Sequence, residues 1–124
     1  GTTKYYGARI VVGEETWRQT RDRFLHRELD LVRVKGKEQA IRVFEPLDRS
    51  ESAPQPLREA VERHGQGLQA YRAQDWETAE RIFSVLHEAH PDEPIYRLYL
   101  ERVAQLKAAP PAPDWDGVYE RTTK

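Results

Sequence analysis

Lys35-Gly36-Lys37, within the stretch RVKGKEQAIRVFEP at residues 33–46, is the group of residues best suited to chemistry. A lysine ammonium on a glycine-containing turn can approach an anion closely and neutralise its charge. The same residues also suit a solvated hairpin tip, where lysines discourage edge-to-edge pairing. His87 and His90, separated by three positions around Glu88, can share a helix face and suggest a metal, but no third ligand accompanies them. His90 stands on an apolar stripe just ahead of Pro91, so packing and capping is the better reading. Asp114 and Asp116 bracket Trp115 without a second pair to form an acid–base site, and His26 and His64 are lone histidines with no catalytic partner. These residues contain no P-loop, dinucleotide fingerprint or nucleophile elbow. With no cysteine among them, disulfides, thiolate metal sites and a cysteine nucleophile are excluded.

The chain of 124 residues has room for one ordinary domain or two small units. Its 20 basic and 21 acidic side chains leave a net charge of −1, which gives no case for a nucleic-acid partner. Residues 1–47 carry ten basic and seven acidic side chains, and residues 48–124 carry ten and fourteen, a division that suggests two units. No apolar run approaches the roughly 20 residues that span a bilayer, and no signal-peptide pattern opens the chain. The composition is that of a soluble protein. Its apolar residues recur too regularly for disorder.

Three parts must position the candidate residues. In residues 9–47, Arg9-Ile10-Val11-Val12-Gly13 reads as a buried strand, and Glu14-Glu15-Thr16 opens a helix with acids at its positive end. Trp17, Thr20 and Phe24 form that helix's inward stripe. Leu29–Val34 and Ala40–Phe44 then read as two strands of an antiparallel hairpin around the loop Lys35 to Gln39. Residues 48–56, DRSESAPQP, read as a linker. Residues 57–107 are helical: Leu57, Val61, His64, Leu68 and Tyr71 share one face, and Trp76, Ala79, Phe83, Leu86 and His90 share a second. A third helix opens near Pro94 and uses Ile95, Leu98, Tyr99, Arg102, Val103 and Leu106. The proline-rich tail reads as extended, with Trp115 and Tyr119 docking back onto the helices. The expected fold class is therefore α+β: strand, helix and β-hairpin, followed by a helical hairpin and a third helix. Such a sheet is incomplete, so its open edge is expected to self-associate or to leave the β part loosely ordered.

KYYGARIVVGEETW and then RFLHRELDLVRVKGKEQAIRVFEPL resemble the C-terminal end of the catalytic domain of a class III adenylate/guanylate cyclase. That family carries a tyrosine-glycine pair, an apolar strand, an acid-opened helix, an R-x-L-D-x-V-x-V-K-G-K hairpin and a closing aromatic-glutamate strand. The corresponding residues here are Tyr6-Gly7, Ile10–Val12, Glu14-Glu15-Thr16, Arg27 to Lys37, and Val43-Phe44-Glu45. The resemblance covers Lys4 to Leu47 in order. Further on, Gly67, Asp75-Trp76, Ala79, Phe83 and Pro91 fall at the spacings of a tetratricopeptide repeat, which needs small residues where its helices meet and large ones where they diverge. The chain departs from that pattern at Ala70, where the repeat prefers an aromatic, with Tyr71 beside it. One repeat is visible, with Ile95–Leu106 as a capping helix. Trp115-Asp116-Gly117 in the tail is similar to the C-terminal extension of some bacterial membrane-anchored cyclases.

The resemblance implies three units: 1–47 as the end of a cyclase catalytic domain, 48–56 as linker, and 57–124 as a tetratricopeptide-like extension. It implies that Lys35 is the nucleotide phosphate ligand, with Lys37 left in solvent. The parent enzyme, a phosphorus–oxygen lyase of intracellular signalling, would make cyclic AMP from ATP, or as second choice cyclic GMP from GTP. It would use Mg or Mn and work as a homodimer through the cyclase part. The family's metal-binding aspartates, base-selecting residues and N-x-x-x-R pair lie upstream of the matched region. No catalytic or metal-ligating residue is therefore placed in residues 1–124, and the fragment is expected to bind no cofactor and to be inactive alone. A cytoplasmic location follows, whether or not the parent is membrane-anchored. The alternative is a protein-binding or regulatory module, in which the helices recognise a partner and the cyclase-like half is scaffold.

Overall fold

Two long strands, rich in β-branched and aromatic residues set among charged ones, build the centre of the sheet. The computed structural model describes residues 2–34, 36 and 38–121. Strand β2, Phe24–Val34, pairs antiparallel with β3, Ile41–Arg49, and both extend well past the expected Leu29–Val34 and Ala40–Phe44. The added length is held partly by charge: Arg27 lies directly opposite Glu45, and its Nη2 donates to Glu45 Oε1 at 2.9 Å. A bulge interrupts the register at Leu29, because Glu28 pairs with Phe44 while Asp30 pairs with Val43. The extra residue breaks the period of two, so that Leu29 and Asp30 are both buried although they are neighbours.

The expected strand Arg9–Gly13 shrinks to β1, Val12–Gly13, which meets Phe44 and Val43 of β3. Arg9 and Ile10 lie before the point where the chain reaches β3, and Ile10 is 56% exposed rather than buried. Helix α2, Glu14–Thr20, follows at once. Phe24 does not belong to its stripe. The chain turns after Thr20, with the Arg23 amide donating to the Thr20 carbonyl, and Phe24 opens β2. Trp17 stacks on Phe44 with ring centroids 4.5 Å apart, which seats α2 on the sheet.

A short N-terminal helix, α1 (Thr2–Tyr6), precedes this unit, and three longer helices follow: α3 (Gln55–Arg72), α4 (Trp76–Ala89) and α5 (Pro94–Ala108). Pro56 sits in the first turn of α3 and Pro94 in that of α5, where a missing amide costs no hydrogen bond. Asp75 caps α4, accepting from the Thr78 amide at 3.3 Å. Most of the stripes read from the sequence face the core, with Tyr96 added to that of α5, Ala60 and Gly67 added to that of α3, and His90 removed from that of α4, while Leu57 and Val61 are half-buried. His90 is exposed because it is the C-cap, past the last helical residue, where the chain leaves the helix cylinder. Gly67 marks the closest approach of α3 and α4: a Cβ there would lie 2.8 Å from Phe83 Cζ and 3.1 Å from Ile82 Cγ2.

The tail completes the sheet. Strand β4, Tyr119–Arg121, lies parallel to β2, giving a mixed sheet in the order β1-β3-β2-β4. The open edge expected of the sheet is covered in part, since β4 pairs with β2 at Val32–Val34. Three residues behind a proline-rich stretch carry no alternation that announces a strand, and only the pairing with β2 makes them one. Among the described residues, the side of β3 away from β2 beyond Phe44 and the side of β2 away from β3 from Phe24 to Leu31 have no strand partner.

Residues 48–56, expected as linker, hold the last two residues of β3 and the first two of α3. Tyr6, Leu29 and Val43 share one apolar cluster with Leu68, Tyr71, Phe83, Tyr99 and Val103. The sheet and the helices therefore bury one common core.

Candidate functional site

Lys35, the expected phosphate ligand, lies outside the described residues, as does Lys37. Their surroundings are defined. β2 ends at Val34, Gly36 is exposed with a φ of 90°, and Glu38 begins the return toward β3. A φ of this sign favours glycine, which supplies the tight reversal without a Cβ penalty. Arg33 brackets this turn: its Nε donates to the Glu38 carbonyl at 3.0 Å, and its Nη1 donates to Glu120 Oε1 at 3.0 Å.

Behind the turn, β2 carries a row of charges into the interface with the helices. Asp30 is 1% exposed, and its carboxylate accepts from both terminal nitrogens of Arg102 at 2.8 and 2.7 Å. It also accepts from the Tyr6 hydroxyl at 2.7 Å and from the Leu31 amide at 2.9 Å. The Tyr99 hydroxyl donates to the Leu29 carbonyl at 2.6 Å. Burial works against the Arg102 charge, but the hydrogen-bonded Asp30 carboxylate outweighs it and holds the guanidinium above its ordinary pKa. Burial, joined by the Asp30 charge, pushes the Tyr6 phenol far above its ordinary range. Asp30 is thus saturated with donors, an arrangement that fixes structure and leaves no free lone pair for proton transfer.

Two further groups extend the row. Arg27 pairs with Glu45 at 2.9 Å and with Glu93 at 2.7 Å, and donates to the Tyr96 hydroxyl at 3.2 Å. Glu28, on the other side of β2, accepts from Arg42 at 2.9 Å and from Arg72 at 2.8 Å. Burial opposes ionisation of Glu28, yet the two guanidinium groups hold its pKa below the ordinary carboxylate value. Between these groups sits His64, whose Nε2 lies 2.7 Å from the Glu28 carbonyl oxygen, so the Nε2–H tautomer donates to it. Burial brings the imidazole pKa down to about 4, with the Arg27 and Arg72 charges adding to the effect. His64 is therefore a neutral core residue at physiological pH.

The remaining sequence candidates separate. His87 is half-buried on α4 while His90 caps its end in solvent. His26 lies in β2 with Nδ1 3.0 Å from the Phe24 carbonyl and Nε2 3.3 Å from Thr20 Oγ1. Asp116 accepts from the Val118 amide at 3.0 Å, shaping the tail, and Asp114 is exposed. Two open clefts accompany these groups. One of about 650 Å³ runs between α2 and α3 over Trp17, Arg42 and Arg72. The other, of about 490 Å³, is apolar and follows the free edge of β3 beside Ile10, Phe24, Pro46 and Leu47.

Sequence reasoning missed the Asp30 and Arg27 clusters. A signal was present: Arg102 falls on the inward stripe of its helix, and a buried arginine demands an acid on the facing element. The face shared by α3 and α5 is occupied by β2 and by Trp115, whose ring lies 5.5 Å from that of Tyr71. No protein-family model, curated protein or solved structure matches the chain.

Proposed function

We propose that the chain is the C-terminal part of a class III nucleotide cyclase, the end of its catalytic domain joined to a tetratricopeptide-like extension. The longer parent converts ATP, or secondarily GTP, to the cyclic nucleotide with Mg or Mn, as a homodimer. One observation carries the reading: the family's motifs recur in order from Tyr6-Gly7 to Val43-Phe44-Glu45, along the path α1, β1, α2, β2 and β3. On this reading Lys35 reaches the polyphosphate from the turn between β2 and β3 and offsets charge developing on the leaving pyrophosphate. Attack of a ribose hydroxyl on the α-phosphate needs metal ions, and the resemblance places their ligands upstream, so the 124 residues alone are inactive.

The alternative reading, a peptide-binding helical module, needs an inward helical face free for a partner. That face of α3 and α5 is taken by β2 and the tail, which weighs against it. The test is formation of cyclic AMP or cyclic GMP by the longer parent with Mn and each triphosphate. Product is expected, with Lys35→Ala losing roughly tenfold to a hundredfold in turnover while staying folded. A folded parent that makes neither product would turn the cyclase-like half into scaffold.

A further inference from the structure

The C-terminal tail holds the β2 flank of the β2–β3 turn, and Arg33 of that flank reaches the returning arm. β3 begins at Ile41, opposite Val32, so Arg33 and Val34 lie beyond the last pair on that side. The strand that pairs with them is β4, in the register Arg33↔Glu120 and Val34↔Arg121. Arg33 carries the connection further through its side chain. One guanidinium joins Glu120 of the tail at 3.0 Å to the carbonyl of Glu38, on the returning arm, at 3.0 Å, with Asp116 Oδ2 3.7 Å away.

The tail in turn is seated on the helices. Trp115 packs on Tyr71 and Trp76 at centroid distances of 5.5 and 6.0 Å, and its Nε1 donates to the Val118 carbonyl at 3.0 Å. The Arg102 guanidinium lies 3.7 Å from the ring centre of Tyr119, and that of Arg121 lies 3.8 Å from the ring centre of Tyr5. Gly117, at a φ of 81°, lets the chain pass over the stem of Arg72, where a Cβ would meet Arg72 Cγ at 2.9 Å. Exposed ion pairs contribute little singly, so the hold on the turn comes from main-chain pairing backed by this aromatic seat.

We propose that the tail is a positioning element for the β2–β3 turn, and that Arg33 is the positioning residue that relays its placement to the returning arm. Its functional consequence rests on the reading of Lys35 as a phosphate ligand, since Lys35 directly follows Val34. The tail then sets how that turn meets the triphosphate.

Amide hydrogen exchange on the 124-residue chain tests the proposal, comparing wild type with Trp115→Ala and Arg33→Ala. Exchange from Val32 to Val34 is expected to quicken about tenfold or more in Trp115→Ala and about two- to fivefold in Arg33→Ala, while the α4 amides and the pairing around Arg27 and Glu45 keep their protection. If Trp115→Ala unfolds the whole chain, Arg33→Ala decides. Unchanged exchange at Val32–Val34 in the folded variants overturns the proposal. In the longer parent, both substitutions should raise KM for the triphosphate several-fold, and neither should raise it further in a Lys35→Ala background. Faster exchange in a parent that makes no cyclic nucleotide leaves the tail–turn coupling standing and removes the cyclase reading instead.

Discussion

Protonating His64 should destabilise the fold as pH falls from 6.5 toward 4.5. The imidazole is 1% exposed, donates from Nε2 to the Glu28 carbonyl, and is ringed by Phe83, Tyr96 and Tyr99. Burial lowers its pKa from the ordinary 6.5 to about 4, so the unfolded chain takes up a proton that the folded chain refuses. The sign follows from linkage: stability is fully present above pH 6.5 and is lost as pH falls toward 4. The loss is about 2 kcal/mol at pH 5 and about 3 kcal/mol at pH 4, relative to pH 8. Urea unfolding followed by circular dichroism at half-unit steps from pH 8 to pH 4.5 measures it. The comparison is with His64→Gln, which keeps an amide donor for the Glu28 carbonyl and cannot titrate. His26, whose pKa burial also lowers, is common to both proteins and cancels in the difference. Glu28 is held below its ordinary 4.5 and loses its contribution only under that pH. The wild type should therefore fall toward the variant with a slope of roughly 1 kcal/mol per pH unit. Parallel curves across this window would refute the neutral, buried assignment.

Breaking the Asp30–Arg102 pair should be costly, since it strands a carboxylate that is 1% exposed. Arg102→Ala is expected to lose about 3–5 kcal/mol in urea unfolding, and Asp30→Asn combined with Arg102→Met should recover much of it. Gly67→Leu should cost about 1–3 kcal/mol by forcing α3 and α4 apart at Phe83, read as a lower midpoint with an unchanged denaturant slope.

The helical half was legible because its apolar residues repeat at the helical period over long stretches. His64 and Arg102 fell on those stripes and are buried with them, polar as they are. The strands were harder to read. The bulge at Leu29 sends both Leu29 and Asp30 inward, which strict alternation forbids, so the buried acid that Arg102 requires was hidden in plain view. The far ends of β2 and β3 are held by the facing charges Arg27 and Glu45, which a hydrophobic pattern does not weigh. β4 was out of reach, because three residues adopt strand geometry only through the edge of β2 and contacts such as Arg33 with Glu120, 87 positions apart. The docking of Trp115 was legible, since a large aromatic in a proline-rich tail has little to gain in water. The candidate site was legible only as a turn with a glycine between lysines. Gly36 has the positive φ that such a turn needs, while Lys35 itself lies outside the described residues.

The phosphate role of Lys35 is tested most directly by a crystal structure of the longer parent with a non-hydrolysable ATP analogue and Mn. Lys35 Nζ is expected within about 3 Å of a β- or γ-phosphate oxygen, at charge-assisted hydrogen-bond distance. A bound analogue with Lys35 turned into solvent, away from the phosphates, would contradict it.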